Sequence, residues 1–199
     1  MIHIEKNKPW IFYPSVLCDS YPENPANKII SGEYDFQIEM RITLLDTEDK
    51  NGTVFSILPK YTGLDIHKNL LFFTVKFEDE SSQFYQFPFT IYDNVDIDLK
   101  MTHVSKKYLK ITINDDEQLN LNLEKLGLYN DSNPCIVFGS NSFSHINENS
   151  NCTELEMHEF KLYEKSKLLA HHTCDEFIFN KSVDKTGNLN FLHHKILEC

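Results

Sequence analysis

Alternation of apolar and polar residues with a period of two runs through most of this chain. In residues 35–45, DFQIEMRITLL, every second residue from Phe36 to Leu44 is apolar, and residues 69–77 and 95–101 repeat the pattern. A β-strand points successive side chains to opposite faces, so each segment predicts a strand with one buried and one solvated face. Such strands are typical of antiparallel sheets that are packed on one side.

Residues 108–123, YLKITINDDEQLNLNL, predict a β-hairpin, because two alternating runs flank a polar turn around Asn114, Asp115 and Asp116. No segment of ten or more residues has a convincing helical period. Roughly a dozen strands joined by short polar connections predict an all-β sandwich or barrel. No linker rich in Gly, Pro or Ser divides the sequence, so we expect residues 1–199 to form a single domain.

The charge of the chain excludes two classes of partner. The formal net charge is -11, and Arg41 is the only arginine. An acidic surface repels phosphate backbones and anionic lipid, so we expect neither nucleic acid binding nor membrane insertion. No apolar run approaches the roughly 20 residues that span a bilayer.

The cysteines and the first residues indicate a reducing compartment. The chain has five cysteines, an odd number, and they form no CxxC motif. The opening residues, MIHIEKNKPWIFYP, contain no apolar signal core. We therefore expect free thiols and a cytoplasmic location.

The order of the strands resembles that of a known superfamily. Residues 35–45 resemble its F-x-I-E strand, Met101–Glu117 fills the place of its hairpin, PCIVFGSN resembles its F-x-I-G strand, and residues 153–163 resemble its l-x-e-l-x-l-y strand. This series is similar to the concanavalin A-like lectin/glucanase superfamily, in its laminin-G-like jelly-roll branch. The resemblance implies a two-sheet antiparallel jelly-roll β-sandwich of the concanavalin A-like type.

A further segment resembles the usual opening of a laminin-G-like domain, although here it lies near the end of the sequence. Asp184, Gly187, Asn188 and Asn190 occupy the positions of its D-S-S-G-N-x-N pattern. The first and last strands of this jelly roll lie side by side, so the shifted segment fits the same sheet. We expect it to form a turn that leads into a closing strand, Leu189–Leu197.

Residues 153–160, TELEMHEF, carry the sharpest catalytic motif. Glu154, Glu156 and Glu159 stand at the spacing of the Glu-x-Asp-x-(x)-Glu strand of the superfamily's glucanases, with Glu in place of the central Asp. The apolar parity changes after Met157, which predicts a β-bulge near His158 and Glu159 that brings the three carboxylates to one face. They are either solvent-facing charges or a glycosidase pair, with Glu154 as nucleophile and Glu159 as general acid/base.

Asp184 and Asn188 form the candidate metal site. Calcium binds carboxylate and amide oxygens, and it is the one cofactor that these residues suggest. The same residues also suit a turn, because Asp and Asn bond to their own backbone. The adjacent His171 and His172 would point to opposite faces of a strand and could not chelate one ion.

Sugar binding requires an aromatic face beside hydrogen-bonding side chains, since sugars present both C–H patches and hydroxyl groups. The candidates are aromatic side chains expected at exposed strand positions and side chains of an Asn-rich loop: Trp10, Tyr61, Tyr85, Asn141, Phe143 and Asn147.

The resemblance implies a non-catalytic, lectin-like carbohydrate-binding domain, either free or working beside a glycan-processing parent enzyme. A glycoside hydrolase and a domain that binds a protein partner are the alternatives.

Overall fold

The structure, a computed structural model, describes residues 1–5, 10–13, 32–45, 51–58, 62–92, 94–129, 135–140, 153–178, 181–186 and 191–194. These residues contain fifteen strands and no helix, so the described part holds no helix that could span a bilayer. The strands are β1 (Ile2–Ile4), β2 (Trp10–Tyr13), β3 (Phe36–Leu44), β4 (Asn51–Leu58), β5 (Thr62–His67), β6 (Leu70–Lys76), β7 (Ser82–Thr90), β8 (Asp96–Val104), β9 (Tyr108–Ile113), β10 (Asp116–Asn122), β11 (Cys135–Phe138), β12 (Leu155–Glu164), β13 (Lys167–Ile178), β14 (Lys181–Asp184) and β15 (Phe191–His194).

The strands pair antiparallel in one continuous order that folds into two layers. The first sheet runs β10-β9-β8-β3-β12 and continues into the first half of β13, and β1 pairs with the other part of the same β12 edge. The second sheet runs β14-β15-β2-β11-β4-β5-β6-β7. The prediction of an all-β, two-sheet antiparallel sandwich is confirmed.

Strand β13 belongs to both layers. Its first half pairs with β12, up to His172, whereas Phe177 and Ile178 pair with β14. Between these halves Cys174 adopts φ 57°, in the left-handed region that non-glycine residues seldom occupy. Its side chain is buried, and burial raises the pKa of the thiol to about 12. This cysteine is therefore an unreactive thiol at the point where the strand crosses from one sheet to the other.

Aromatic rings join the two sheets through the core. Phe160 on β12 lies with its ring centroid 4.7 Å from that of Phe12 on β2 and 5.4 Å from that of Phe138 on β11. All three side chains are fully buried. Strands β2 and β11 are distant from β12 in the pairing order, so these contacts show that the order folds back on itself.

Backbone hydrogen bonds join segments that lie near opposite ends of the strand order. Phe77, which follows β6, forms a bridge with Leu128, which follows β10. The amide of Glu78 donates to the carbonyl oxygen of Gly127 at 3.0 Å, and the amide of Tyr129 donates to that of Lys76, also at 3.0 Å. The described strands therefore enclose one continuous apolar core.

Several local predictions can be compared with the structure. The hairpin is confirmed as β9 and β10, and Asn114 and Asp115 have positive φ in its turn, as a tight hairpin requires. The closing strand is present as β15 and pairs with β2; the rest of the predicted span lies outside the described residues. The expectation of an exposed Trp10 is wrong, because its side chain is buried in the core.

The first sheet contains a buried histidine. His103 is 1% exposed, and its Nδ1 lies 2.8 Å from the carbonyl oxygen of Tyr34. Its ring packs on Phe36 with the centroids 5.0 Å apart. Burial lowers the pKa of His103, and the bond to Tyr34 and the charge of Asp35 only partly oppose this. The neutral ring is thus the form that the fold favours.

We expect the free energy of unfolding to fall as the pH drops below about 6.5. Below that pH His103 is protonated in the unfolded chain, whereas in the folded chain it becomes protonated only at a lower pH. The contribution of the neutral His103 to the free energy of unfolding is fully present above about pH 6.5, and it is lost as the pH falls towards the pKa of His103 in the folded chain. Urea unfolding from about pH 7.5 to pH 5 should show a slope of up to ~1.4 kcal/mol per pH unit from this proton. In His103→Asn, which keeps a donor for Tyr34, the slope should be smaller. Parallel curves for wild type and His103→Asn would contradict this prediction.

The ring contacts predict that Phe160→Ala lowers the free energy of unfolding by a large amount. Removal of a fully buried phenylalanine costs about 3–5 kcal/mol, measurable as a lower urea midpoint with an unchanged m value. Phe160→Leu should cost less, because it leaves a smaller cavity. Tyr108→Ala, at a partly exposed position of the same sheet, is the control and should change stability by less than about 1 kcal/mol.

Candidate functional site

The outward side chains of β8, β3, β12 and the first half of β13 form a polar surface, called here the polar face. The strand register sets its acidic and basic groups opposite one another. Lys161 on β12 lies opposite Glu39 on β3, which lies opposite Lys100 on β8. One step along, Arg41 lies opposite Asp98, and its Nε donates to that carboxylate at 2.8 Å. The charges in these two rows therefore lie next to charges of the opposite sign.

The predicted β-bulge in β12 is confirmed, and it places the motif carboxylates on the polar face. The register with β3 shifts between Met157 and Glu159, so that Glu156 lies opposite Thr43 and Glu159 lies opposite Arg41. The side chain of Glu154 is also partly exposed, and its Oε1 lies 3.0 Å from Nε2 of His3. The sequence pattern thus correctly predicted which side of the strand carries these groups.

The surroundings of Glu159 differ from those of a general acid. Its carboxylate lies 2.8 Å from Nζ of Lys161 and 2.8 Å from Nε2 of His171. Burial raises the pKa of Glu159, but the hydrogen bonds from Lys161 and His171 outweigh burial, and the pKa lies below its usual value. A glycosidase acid needs a raised pKa so that it holds a proton near neutral pH. This geometry suits a permanently ionised group.

The bulge residue His158 has a structural partner on β3. Its Nε2 lies 2.7 Å from Oγ1 of Thr43, and that hydroxyl donates to a carboxylate oxygen of Asp96 at 2.6 Å. A nucleophilic triad places the histidine between the hydroxyl and the acid. Here the hydroxyl lies between the histidine and the acid, so these contacts fix the bulge.

The described contacts of Asp184 are those of a turn. Its Oδ1 accepts hydrogen bonds from the amides of His171 and Thr186, both at 3.0 Å, and the Thr186 hydroxyl donates to the same carboxylate at 2.9 Å. Asn188 lies outside the described residues, so the calcium site stays a prediction. No group of three or more His, Cys, Asp or Glu side chains within the described ranges is placed to hold a metal ion.

The two neighbouring histidines point to opposite faces, as predicted. His171 lies on the polar face beside Glu159, whereas His172 is buried and packs its ring against Phe12 with centroids 5.8 Å apart.

Of the predicted sugar-binding residues, the structure locates Tyr85 and the buried Trp10. Tyr61, Asn141, Phe143 and Asn147 lie outside the described residues. Tyr85 lies opposite the buried Phe73 and packs against the core, and its hydroxyl donates to the side chain of Gln83. Its ring therefore lies on the inner side of β7 and is half-buried, and its role in sugar binding stays a prediction.

The exposed aromatic residue of this strand is Phe84. Its side chain is 73% exposed, the largest exposure among the large apolar side chains in the described part. Phe84 lies opposite Thr74, and the next outward pair is Gln86 and Phe72. Asp65 on β5 lies opposite Phe72 in turn. Thr74 is buried, and we call the other four residues, Phe84, Gln86, Phe72 and Asp65, the Phe84 platform.

Neighbouring side chains hold the platform in place. Asp65 accepts a hydrogen bond from the hydroxyl of Thr53 at 2.8 Å, which fixes its carboxylate beside Phe72. The ring of His67 meets Phe72 edge to face, with the centroids 6.3 Å apart. The platform therefore combines an exposed ring, a half-buried ring, an amide and a carboxylate on one surface.

The sequence contained a signal for Phe84 that the exposed-aromatic prediction missed. In residues 82–90, SQFYQFPFT, Tyr85, Phe87 and Phe89 share one parity, and Phe84 shares the other with Ser82 and Gln86. The parity that carries three aromatic residues is the one expected to face the core.

The fold belongs to the class of two-layered antiparallel β-sandwiches, and solved structures share it. Neither a protein-family model nor a curated protein sequence matches the chain. The botulinum neurotoxin serotype D binding domain superposes with a TM-score of 0.56 at 15% identity, over 82% of this chain and 38% of that one. The binding domain of Paraclostridial Mosquitocidal Protein 1 gives 0.52 at 17% identity, over 71% and 36%.

A third structure, the serotype D ligand binding domain in complex with N-acetylneuraminic acid, gives a TM-score of 0.50 at 17% identity, over 68% of this chain and 34% of that one. The chain thus spans little more than a third of each of these structures. At such identities the likeness shows a shared fold alone. The concanavalin A-like assignment stays a prediction.

We expect the Glu159 carboxyl to titrate below the usual glutamate pKa of about 4.3. The stability it contributes is present above that value and is lost as the pH falls through the folded pKa. Carboxyl ¹³C NMR titration should show this, and Lys161→Met should raise the pKa by removing a hydrogen bond to the charged form. Lys167→Met, at an exposed position on β13, is the control. A wild-type pKa above the usual value would restore the case for a general acid.

Proposed function

We propose that this protein binds carbohydrate without catalysis, and that the Phe84 platform is the binding surface. The observation that carries the proposal is the exposed ring of Phe84 in the middle of a strand, beside the side chains of Gln86 and Phe72. Because most of its side chain is exposed, the ring of Phe84 is accessible to a ligand.

The groups of the platform match the two kinds of surface that a sugar presents. The C–H face of a pyranose packs against an aromatic ring, as Phe84 offers. The amide of Gln86 can donate and accept, and the carboxylate of Asp65 can accept. These two side chains lie on either side of Phe72, in the row next to Phe84, where they can meet sugar hydroxyl groups. No acid/base pair is needed for binding alone.

The fold supports the same conclusion in coarser form. The structures that share it are described as binding or ligand binding domains, and one of them holds N-acetylneuraminic acid. A fold hosts many functions, so the proposed binding residues rest on the platform and not on the likeness. The lowered pKa of Glu159 gives no support to hydrolysis by the polar face.

We expect Phe84→Ala to weaken binding to a neutral glycan hit from a printed array by roughly 30-fold, because burying a phenylalanine ring contributes about 2 kcal/mol. Phe84→Trp should retain binding, since it keeps the aromatic face. Isothermal titration calorimetry with the strongest array hit measures both. Tyr92→Ala, at another exposed aromatic position, 68% exposed, should leave the affinity unchanged.

The same experiment can reject the proposal. All three variants should keep the wild-type melting temperature, because the replaced side chains are exposed. Equal affinity of Phe84→Ala and wild type would exclude the platform as the sugar site. Absence of any array hit, together with a co-purifying protein that Phe84→Ala releases, would favour the alternative of a protein-binding domain.

A further inference from the structure

We propose that the Phe84 platform selects uncharged glycans and rejects glycans that carry a carboxylate or a sulfate. This inference rests on the proposed function and adds the chemical class of the ligand. It is carried by the charges around the platform.

Carboxylates border the platform on two sides. Asp65 lies on the platform itself, opposite Phe72. The turn between β6 and β7 contains the consecutive acids Glu78, Asp79 and Glu80. This turn leads directly into β7, and Ser82 and Phe84 are the first two outward residues of that strand. An anionic ligand stacked on Phe84 would thus lie close to several negative charges.

Local hydrogen bonds keep two of these acids ionised. The hydroxyl and the amide of Ser81 both donate to the carboxylate of Asp79, at 2.6 Å and 2.9 Å, and these bonds lower the pKa of Asp79. The ammonium group of Lys106 bonds to Glu78, and this bond, with a backbone bond from Gly127, lowers the pKa of Glu78. The turn therefore keeps its negative charge well below neutral pH.

Among the described residues, two cations lie near the acidic turn, against the four carboxylates of Asp65, Glu78, Asp79 and Glu80. The ammonium group of Lys106 pairs with Glu78, and that of Lys76 donates to the carbonyl oxygen of Glu80, so the surroundings stay negative overall. Arg41, the only arginine in the chain, lies on the polar face of the other sheet and is bonded to Asp98. Proteins recognise sugar carboxylates and sulfates mainly with Arg or Lys. In the part of the chain that the structure describes, the uncharged polar side chains that face outward here are Gln86 on the platform and Ser82 at the start of β7, and both suit neutral hydroxyl groups.

A glycan array with matched pairs tests the proposal. Each neutral oligosaccharide is printed beside the same oligosaccharide capped with N-acetylneuraminic acid or sulfated, and wild type and Phe84→Ala are applied in parallel. We expect neutral hits that Phe84→Ala loses, with each charged partner bound at least about fivefold more weakly. Charged hits that equal or exceed their neutral partners, and that require Phe84, would overturn the charge selection and leave the proposed function intact. Absence of hits, or hits that Phe84→Ala retains, would instead remove the proposed function.

Two double variants distinguish the effect of the charges in the β6–β7 turn on glycan selection from the effect of the net charge of the chain. Asp79→Asn combined with Glu80→Gln should reduce the discrimination against charged glycans by about threefold. Asp115→Asn combined with Asp116→Asn, in the β9–β10 turn, changes the net charge equally and should leave the discrimination unchanged. Equal effects of the two variants would show that the overall acidity of the chain, and not the β6–β7 turn, excludes anions.

Discussion

The packing of Phe160 between Phe12 and Phe138 is the contact on which the rest of the structure depends. It joins a central strand of the first sheet to two strands of the second. The β-bulge just before it changes the phase of β12, so that Phe160 points into the core while Glu159 points to solvent. Without the extra residue the strand would present a charge to the core. The core contact and the arrangement of the polar face therefore have one origin.

The alternating pattern was sufficient to predict strands such as β3, β8 and β9, their inward faces and the bulge near His158, because each follows from the spacing of apolar residues within one segment. The crossing of β13 at Cys174 could not be predicted in this way. It depends on one residue with positive φ and on pairing with two different partners, and neither leaves a mark in local periodicity. Pairing between strands that are distant in the sequence, as between β3 and β12, depends on the packing of the whole core.

The candidate site shows the same division between local and long-range information. The sequence correctly placed Glu156 and Glu159 on one outward face, but it could not show that Lys161 and His171 surround Glu159, since His171 lies on the next strand. The ring of Tyr85 was expected outside because a polar residue stands on each side of the pair Phe84-Tyr85. The structure resolves the ambiguity, because the side that also carries Phe87 is drawn into the core and Phe84 stays in solvent.

The pairing of β3 with β12 has a consequence for how the chain acquires its structure during synthesis. Leu44 at the end of β3 pairs with Leu155, so the ribosome must add most of the remaining chain before β3 gains its neighbour on that side. Until then the nascent chain carries a nine-residue strand with an open edge and an apolar face. Pairing across such sequence distances is slow, and open edges invite association with other chains. Efficient production of this protein should thus depend on conditions that shield the emerging chain, such as low temperature or abundant chaperones.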